Sequence, residues 1–171
     1  GAGRAAVAGT WYSGRPDVLA RDVDQCLDQV LDVAEGEIAG LVAPHAGLKY
    51  SGSVAAHAYK AVAGRSYDVA VLVGPSHYVG FEGVAIQRAG SFETPLGRVV
   101  ISEADAEAIA AASPAVHDRP AAHLREHSLE MQLPFLQRVL PETPIVPLVM
   151  GHQTPATIAR RLSAVRSLLR F

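Results

Sequence analysis

Hydrophobic residues recur every three or four positions in several segments of the chain, which is the spacing of one helix face. In the first of these segments, Pro16 stands at the early position where proline favours helix formation, and Cys26 lies on the apolar face. Pro134 is expected either to kink the helix that contains it or to mark its first turn. The predicted helices are Pro16–Val33, a helix from Ser51 or Ser53 to Val62, Glu103–Ala112, Leu129–Leu140, and a last helix from Thr154 to Leu169.

Short apolar runs without helical spacing separate these helices and predict strands. The run from Asp68 to Val73 is β-branched and uninterrupted, which predicts a strand covered on both faces. Pro147 has no backbone N–H, so its run is expected at a sheet edge or at the end of a strand. The predicted strands are Ile38–Ala43, Asp68–Val73, Gly83–Gln87, Val99–Ser102 and Ile145–Val149.

Strands that alternate with helices at these lengths are typical of βαβ units. We therefore predict an α/β fold with a mostly parallel sheet flanked by helices. The chain has 171 residues, 49% of them hydrophobic, which is enough for a single domain over residues 1–171 with a buried core. Its last predicted helix should lead into another strand, so we expect a domain that is truncated at its C-terminus.

Charge and composition narrow the range of partners. The chain carries 15 basic and 17 acidic residues and has no basic stripe, which argues against binding to nucleic acid. Its apolar runs are far shorter than the roughly 20 residues that span a bilayer, so no membrane insertion is expected. The chain does not open with a secretory signal, and its one cysteine, Cys26, cannot form an internal disulfide. A cytoplasmic location is therefore expected.

Two histidines follow proline at the ends of successive predicted strands. The stretch LVAPHAG contains His45, and VLVGPSHY contains His77. Because the carboxyl ends of neighbouring parallel strands share one edge of a sheet, both imidazoles are expected in one crevice. Two neutral imidazoles with one anionic ligand suit a divalent metal such as iron or zinc. Either histidine alone is more simply a loop residue that bonds the backbone, but the repeated pattern favours a shared metal site.

A third cluster, HLREHSLEMQLPF, contains His123, Glu126, His127 and Glu130. The first three match the H-x-x-E-H pattern of inverted zinc peptidases, although few acidic residues follow that could supply a third ligand. We favour a polar edge of the crevice, where His127 with Glu126 or Glu130 would position or deprotonate a substrate. A solvated first helical turn, with both glutamates favourable to the helix dipole, is an equally simple interpretation.

Five motifs occur in an order and spacing that closely resemble the Memo-like family, also called AmmeMemoRadiSam system protein B. The resemblance covers nearly the whole chain. The motifs are GTWYSG (9–14), APHAGLKYSGSVAAHAY (43–59), GPSHY (74–78), TPLG (94–97) and EHSLEMQLPFL (126–136).

This resemblance implies a fold similar to that of class III extradiol dioxygenases, which bind non-haem iron. It also implies that His45 and His77 are metal ligands, with iron or copper proposed for the family. A human relative is described as a cell-motility mediator that recognises phosphotyrosine peptides and has a copper-dependent redox activity. Bacterial and archaeal members are commonly encoded with a radical SAM protein and an AMMECR1-like protein, which are the implied partners.

The family domain continues beyond Phe171, into a Ser-Ser-Asp…His type motif and a third metal ligand, a cysteine in the human relative. Cys26 does not replace that cysteine, because it lies on a predicted helix near the start of the chain. The resemblance therefore implies two ligands in this chain for a site that needs at least three.

Two functions follow from the residues and the resemblance together. The first is a dioxygenase-like oxidoreductase that holds iron, or else copper or zinc, on His45 and His77. Acid–base chemistry would then come from His127, Glu126 and Glu130, and Tyr50, Tyr78 and Lys49 would bind the substrate. The second is a non-catalytic binding or scaffold protein that uses the same crevice for a peptide or a small anion. A zinc hydrolase built on H-x-x-E-H is a third, less favoured interpretation.

Overall fold

The computed structural model describes residues 2–3 and 5–152, and helices alternate with strands through this part of the chain. The helices are α1 (Pro16–Asp28), α2 (Leu48–Lys60), α3 (Glu103–Ala112), α4 (His127–Glu130) and α5 (Leu133–Val139), with a 3-10 turn at Pro120–Ala122. The strands are β1 (Ala2–Gly3), β2 (Ala70–Pro75), β3 (Val84–Ile86), β4 (Ser91–Thr94), β5 (Gly97–Val100), β6 (Val116–Asp118) and β7 (Ile145–Met150). The helix predicted from Thr154 to Leu169 lies outside the described residues.

Four strands form the main sheet in the order β2-β7-β3-β6. Strand β2 pairs with β7 and β3 with β6 in parallel, whereas β3 and β7 run antiparallel. A second sheet, β1-β4-β5, combines one parallel with one antiparallel pairing. Parallel pairing therefore predominates, which confirms the predicted α/β fold with a mostly parallel sheet.

Strand β7 lies between β2 and β3, so the prediction that Pro147 marks a sheet edge or a strand end is wrong. Pro147 faces Leu72 in the parallel register with β2. The antiparallel ladder with β3 begins at the next residue, where Leu148 faces Ile86. The missing N–H of Pro147 therefore removes no hydrogen bond from the ladder with β3, and the strand can pass through the middle of the sheet.

Residues 38–43 form no strand, contrary to the prediction. The segment is irregular and has no ladder partner among the described strands, and Val42 is 98% exposed. A strand is held by hydrogen bonds to a neighbour, so an apolar run without one does not become a strand. Strand β2 is correspondingly an edge strand within the described part of the chain. Its Val71 and Val73 are exposed, so the prediction of a strand covered on both faces is also wrong.

The observed helices differ from the predicted ones mainly at their ends. Helix α1 stops at Asp28 rather than at Val33. Helix α2 starts at Leu48, before the predicted serines, because the Leu48 N–H donates to the Trp11 carbonyl at 2.9 Å. The helix predicted around Pro134 divides into α4 and α5, and Pro134 lies in the first turn of α5, which was one of the two alternatives.

Three helices, α1, α2 and α5, pack against one another, and Tyr59 of α2 stacks on Phe135 of α5 with ring centroids 5.1 Å apart. Helix α3 packs against β6 and β7, and the short helix α4 packs against β2. The Ser128 hydroxyl of α4 donates to the carbonyl of Pro75, the last residue of β2, at 2.9 Å. This contact places α4 at the carboxyl end of β2, where the segment that carries His77 begins.

Candidate metal centre

Three imidazoles converge beyond the carboxyl end of β2. The ring centroid of His77 lies 5.3 Å from that of His45 and 4.4 Å from that of His127, and His45 and His127 are 5.9 Å apart. Each ring offers one nitrogen, and these three atoms all lie within 4.8 Å of one another. The predicted meeting of His45 and His77 is therefore confirmed, and His127 joins them as a third possible ligand.

The loop that carries His45 is held from both sides, although no strand precedes it. On one side, the Gln132 side-chain amide approaches the Pro44 carbonyl at 3.4 Å. On the other, α2 starts at Leu48, which is bonded to the Trp11 carbonyl. A loop fixed at both flanks presents its imidazole in a defined direction without the support of a sheet.

His77 is positioned by the end of β2 and by α4. The Ser76 N–H donates to the Met150 carbonyl at 2.9 Å, which extends the pairing of β2 with β7 by one residue. A Cβ atom at Gly74 would lie 2.6 Å from the Ser128 hydroxyl oxygen and 2.9 Å from Leu129 Cδ2. Only glycine therefore allows α4 to approach β2 this closely, which in turn brings His127 to His77.

Glu126, beside the histidines, is the N-cap residue of α4, and only 4% of its surface is exposed. Its carboxylate accepts hydrogen bonds from the His77 N–H at 2.6 Å, from the His77 Nδ1 at 2.8 Å and from the Ser128 N–H at 2.9 Å. Burial by itself would raise the pKa of Glu126, but the hydrogen bonds from His77 and Ser128 bring that pKa below its ordinary value.

An ionised carboxylate only accepts hydrogen bonds, so the proton in the Glu126–His77 bond belongs to Nδ1 of His77. The Nε2 atom of His77 then carries a free lone pair. A metal-binding histidine usually donates its other ring N–H to a carboxylate or a similar acceptor, which fixes the orientation of the imidazole.

Burial keeps His45 and His127 in the neutral form that binds metals. Burial, together with the neighbouring His77, lowers the pKa of His45, and Glu126 opposes this change only in part. Burial is also the largest cause that lowers the pKa of His127, and the charge of Glu126 again acts in the opposite direction. At neutral pH both side chains are therefore available as nitrogen donors.

A divalent metal fits this set of donors. The Nδ1 atom of His127 is buried, lies 3.6 Å from the nearer Glu126 oxygen and has no hydrogen-bond partner among the described residues. Two imidazoles with lowered pKa values and a third held by a carboxylate are the donor chemistry of zinc, iron and copper sites. Three protein ligands also leave coordination positions open, as catalytic metal sites require.

The structure does not bring Glu130 to the three histidines. Its carboxylate instead accepts hydrogen bonds from the Ala6 N–H at 2.7 Å, the Val7 N–H at 3.1 Å and the Tyr12 hydroxyl at 2.6 Å. Glu126 and Glu130 are both buried, so the interpretation of a solvated first turn is wrong.

His123 does not join the centre either. It precedes α4, its ring contacts Phe92 with centroids 6.1 Å apart, and it is not among the clustered nitrogens of the described residues. The H-x-x-E-H pattern requires both histidines on one face of a single helix, but α4 begins only at His127. The zinc-peptidase interpretation therefore lacks its geometry.

Of the predicted substrate-binding residues, Tyr78 contacts the cluster, and Tyr50 and Lys49 are exposed near the start of α2. The Tyr78 ring meets His127 edge-on at 5.7 Å, is half exposed and carries the Arg125 guanidinium 5.5 Å above it. Tyr50 is 80% exposed near the start of α2. Lys49 is exposed and lines a cavity of about 600 Å³ between α1, α2 and the turn that contains Trp11.

Sequence reasoning missed the closest aromatic neighbour of the cluster. The Trp11 indole packs against the His127 ring with centroids 4.2 Å apart. The motif GTWYSG, which contributes to the family resemblance, was the available signal. Cys26 lies on α1 and lines the cavity with Trp11, but it is not among the clustered ligand atoms.

The sequence matches a family model described as Memo-like protein over residues 4–170. The chain belongs to the Memo-like family. A MEMO1 family protein of Pyrobaculum aerophilum is 42% identical over 89% of this Memo-like chain. MEMO1 family proteins of Caldivirga maquilingensis and Methanothermobacter thermautotrophicus are each 39% identical over 95% of it.

The Memo-like chain spans only part of these relatives, namely 57%, 60% and 63% of their respective lengths. The activity, substrates and partners of a whole Memo-like protein therefore stand as proposals. In the part of the chain that the structure describes, no helix combines the length and the hydropathy that crossing a membrane requires.

Proposed function

We propose that this Memo-like chain binds one divalent metal through His45, His77 and His127 and uses it for dioxygenase-like oxidation–reduction chemistry. The convergence of three imidazoles in front of the buried Glu126 carboxylate carries the proposal. Iron is the proposed metal, in keeping with the family's resemblance to class III extradiol dioxygenases, and copper or zinc is the alternative because imidazole suits all three. When bound, the metal would supply redox or Lewis-acid chemistry at its open positions.

The protein residues then have distinct roles. His127 acts as a ligand rather than as an acid or base, because its ring lies within the cluster. Glu126 fixes the orientation of His77 through Nδ1. Tyr78 lies edge-on to His127 and is half exposed, so a small molecule or a peptide would bind beside it, and the exposed Tyr50 and Lys49 are proposed to contact the same molecule. A radical SAM protein and an AMMECR1-like protein are the proposed partners, in a reducing cytoplasm.

Metal binding tests the proposal directly. The purified chain, stripped with chelator, is titrated with Fe(II) under anaerobic conditions, with Cu(II) and with Zn(II) in a calorimeter, and we expect one site per chain. Changing any one of His45, His77 and His127 to alanine should weaken binding by more than about tenfold, because even altered outer-shell partners cost about 10–100-fold.

His57→Ala is the matched control for this titration. His57 lies on α2, the helix that follows the His45 loop. Its ring is exposed, and its Nδ1 lies 2.9 Å from the Ser53 carbonyl oxygen. This variant should bind metal as the parent chain does. Equal affinity for the parent and all three cluster variants would refute the metal centre.

A non-catalytic binding or scaffold role is the second candidate, and two exposed cations favour it. Lys49 and Arg125 are exposed, and neither forms an ion pair with a described acidic residue. In this role the crevice holds an anionic group without metal, so inorganic phosphate should bind equally well before and after chelation. Loss of phosphate binding on chelation would favour the metal-dependent function.

A further inference from the structure

Glu130 is a buried carboxylate that the proposed metal centre does not use. It is 4% exposed and belongs to the same short helix, α4, as His127. Its two oxygens accept hydrogen bonds from the N–H groups of Ala6 and Val7 and from the Tyr12 hydroxyl. A buried charge is tolerated only when it is well bonded, so these three donors fix the carboxylate and the segment that supplies them.

The segment from Val7 to Tyr12 is a compact turn closed by its own hydrogen bonds. The Gly9 N–H donates to the Tyr12 carbonyl at 2.8 Å, and the Trp11 N–H donates to the Val7 carbonyl at 3.0 Å. The Thr10 hydroxyl also donates to the Val7 carbonyl, at 2.9 Å. The turn therefore moves as one unit. A shift at its two ends, Val7 and Tyr12, which both bond to Glu130, also moves Trp11.

Trp11 connects this turn to two parts of the histidine cluster. Its indole packs against the His127 ring at 4.2 Å with an angle of 54° between the planes. Its carbonyl accepts the Leu48 N–H, which sets the start of α2 immediately after the His45 loop. Trp11 thus contacts one proposed ligand, His127, directly and supports the loop that carries another, His45.

We propose that Glu130 is a positioning residue of the metal centre that acts through the turn and Trp11. Its carboxylate holds the turn against α4, so that the indole supports the His127 ring and the Trp11 carbonyl anchors the His45 loop. This inference rests on the proposed function, since it assigns Glu130 to the same centre. It replaces the acid–base role expected for Glu130 from the sequence.

Trp11 is the single tryptophan of the chain, so the tryptophan emission reports on the surroundings of this indole. In Glu130→Gln, one accepting oxygen becomes an NH2 group that faces the N–H of Ala6 or of Val7, and the turn should loosen. We expect a red-shifted emission maximum in the folded, metal-free variant and an affinity for Cu(II) that is lower by about tenfold or more, the scale of outer-shell changes. Far-UV circular dichroism establishes that the variant is folded.

Two further variants keep the test decisive. Tyr12→Phe removes one donor and leaves the two backbone bonds to Glu130, so it should show the same changes at smaller size even if Glu130→Gln fails to fold. Glu37→Gln is the matched control, because Glu37 is exposed on an irregular segment, and it should change neither emission nor affinity.

A double-variant cycle separates positioning from general stability. Because Trp11→Ala removes the indole and keeps the Trp11 carbonyl, adding Glu130→Gln to it should weaken Cu(II) binding by less than Glu130→Gln does in the parent chain, whereas the two losses would add if Glu130 did not act through the indole. Trp11→Phe, which keeps an aromatic ring, should retain most of the affinity.

The outcomes distinguish this inference from the proposed function. If the parent chain binds no metal, the proposed function fails, and the emission of the metal-free variants still decides whether Glu130 holds Trp11. If the parent chain binds metal and folded Glu130→Gln binds it equally well with unchanged Trp11 emission, Glu130 is only a structural residue and the inference is overturned.

Discussion

His123 is a buried imidazole, and neither of its ring nitrogens has a hydrogen-bond partner at normal distance and angle among the described residues. Its ring lies edge-on to Phe92, and it is 6% exposed. Burial lowers the pKa of His123 to about 4, although the backbone of Ala85 and the charges of Glu126 and Asp118 act against this shift. The side chain is therefore neutral in the folded protein at pH 7.

This burial predicts a specific loss of stability in mild acid. Above pH 6.5, the ordinary pKa of histidine, His123 is neutral whether the chain is folded or unfolded, so it adds no pH dependence. Between pH 6.5 and about 4 only the unfolded chain takes up the proton, so the free energy of unfolding should fall as the pH falls, by about 3 kcal/mol in total. Urea unfolding of the parent chain and of His123→Leu at several pH values measures this difference. The same pH slope in both proteins would contradict the prediction.

The sequence patterns around single residues predicted part of the metal centre. The predicted strand-Pro-His pattern brings His45 and His77 together correctly, although the His45 loop is held by the Gln132 side chain and by the backbone bond from Leu48 to Trp11, and not by a strand. His127 was assigned another role because its position depends on where α4 begins. The links from Tyr12 to Glu130 and from Trp11 to His127 join distant parts of the chain, 118 residues apart for the first pair, and no local pattern encodes such contacts.

At the scale of secondary structure elements, the contact between α4 and the end of β2 controls the centre. Gly74 of β2 lies directly against Ser128 and Leu129 of α4. The Ser128 hydroxyl fixes the same interface through the Pro75 carbonyl. Because His77 follows β2 and His127 opens α4, the spacing of these two elements sets the spacing of two proposed ligands.

Gly74→Ala tests this interface. The added Cβ would lie 2.6 Å from the Ser128 oxygen, so α4 must move away from β2. We expect a loss of about 1–3 kcal/mol in the free energy of unfolding, as for other overpacked sites, together with weaker metal binding. Gly40→Ala is the control, because a Cβ at Gly40 meets no atom within 4 Å. Urea unfolding and metal titration of both variants provide the measurement, and similar behaviour of the two would contradict the role of the interface.

The elements that were predicted well are those whose local pattern is sufficient. Helix α3 occupies Glu103–Ala112 as predicted, because an alanine-rich segment favours a helix without help from its surroundings. Strand formation depends on partners, and here the local pattern failed. The apolar run at 38–43 has no partner among the described strands, while β7 has a partner on each side despite Pro147.

At the scale of the whole molecule, the three proposed ligands belong to parts of the fold that are separate in sequence. His45 precedes α2, His77 follows β2 in the main sheet, and His127 opens α4. Helix α2 packs with α1 and α5, whereas α4 packs on β2. A metal bound to all three imidazoles would therefore cross-link the helical layer to the sheet, and binding and folding should be coupled.

This coupling predicts that metal stabilises the entire described fold. Above the dissociation constant, each tenfold increase in free Zn(II) should raise the free energy of unfolding by about 1.4 kcal/mol if one ion binds per folded chain. Urea unfolding at a series of buffered Zn(II) concentrations measures the slope, and chelator should reverse the gain. In the triple variant His45→Ala, His77→Ala, His127→Ala, the slope should vanish, whereas His57→Ala should retain it because its exposed ring lies on the surface of α2. An undiminished slope in the triple variant would place the stabilising metal elsewhere on the chain, and the three histidines would no longer be its ligands.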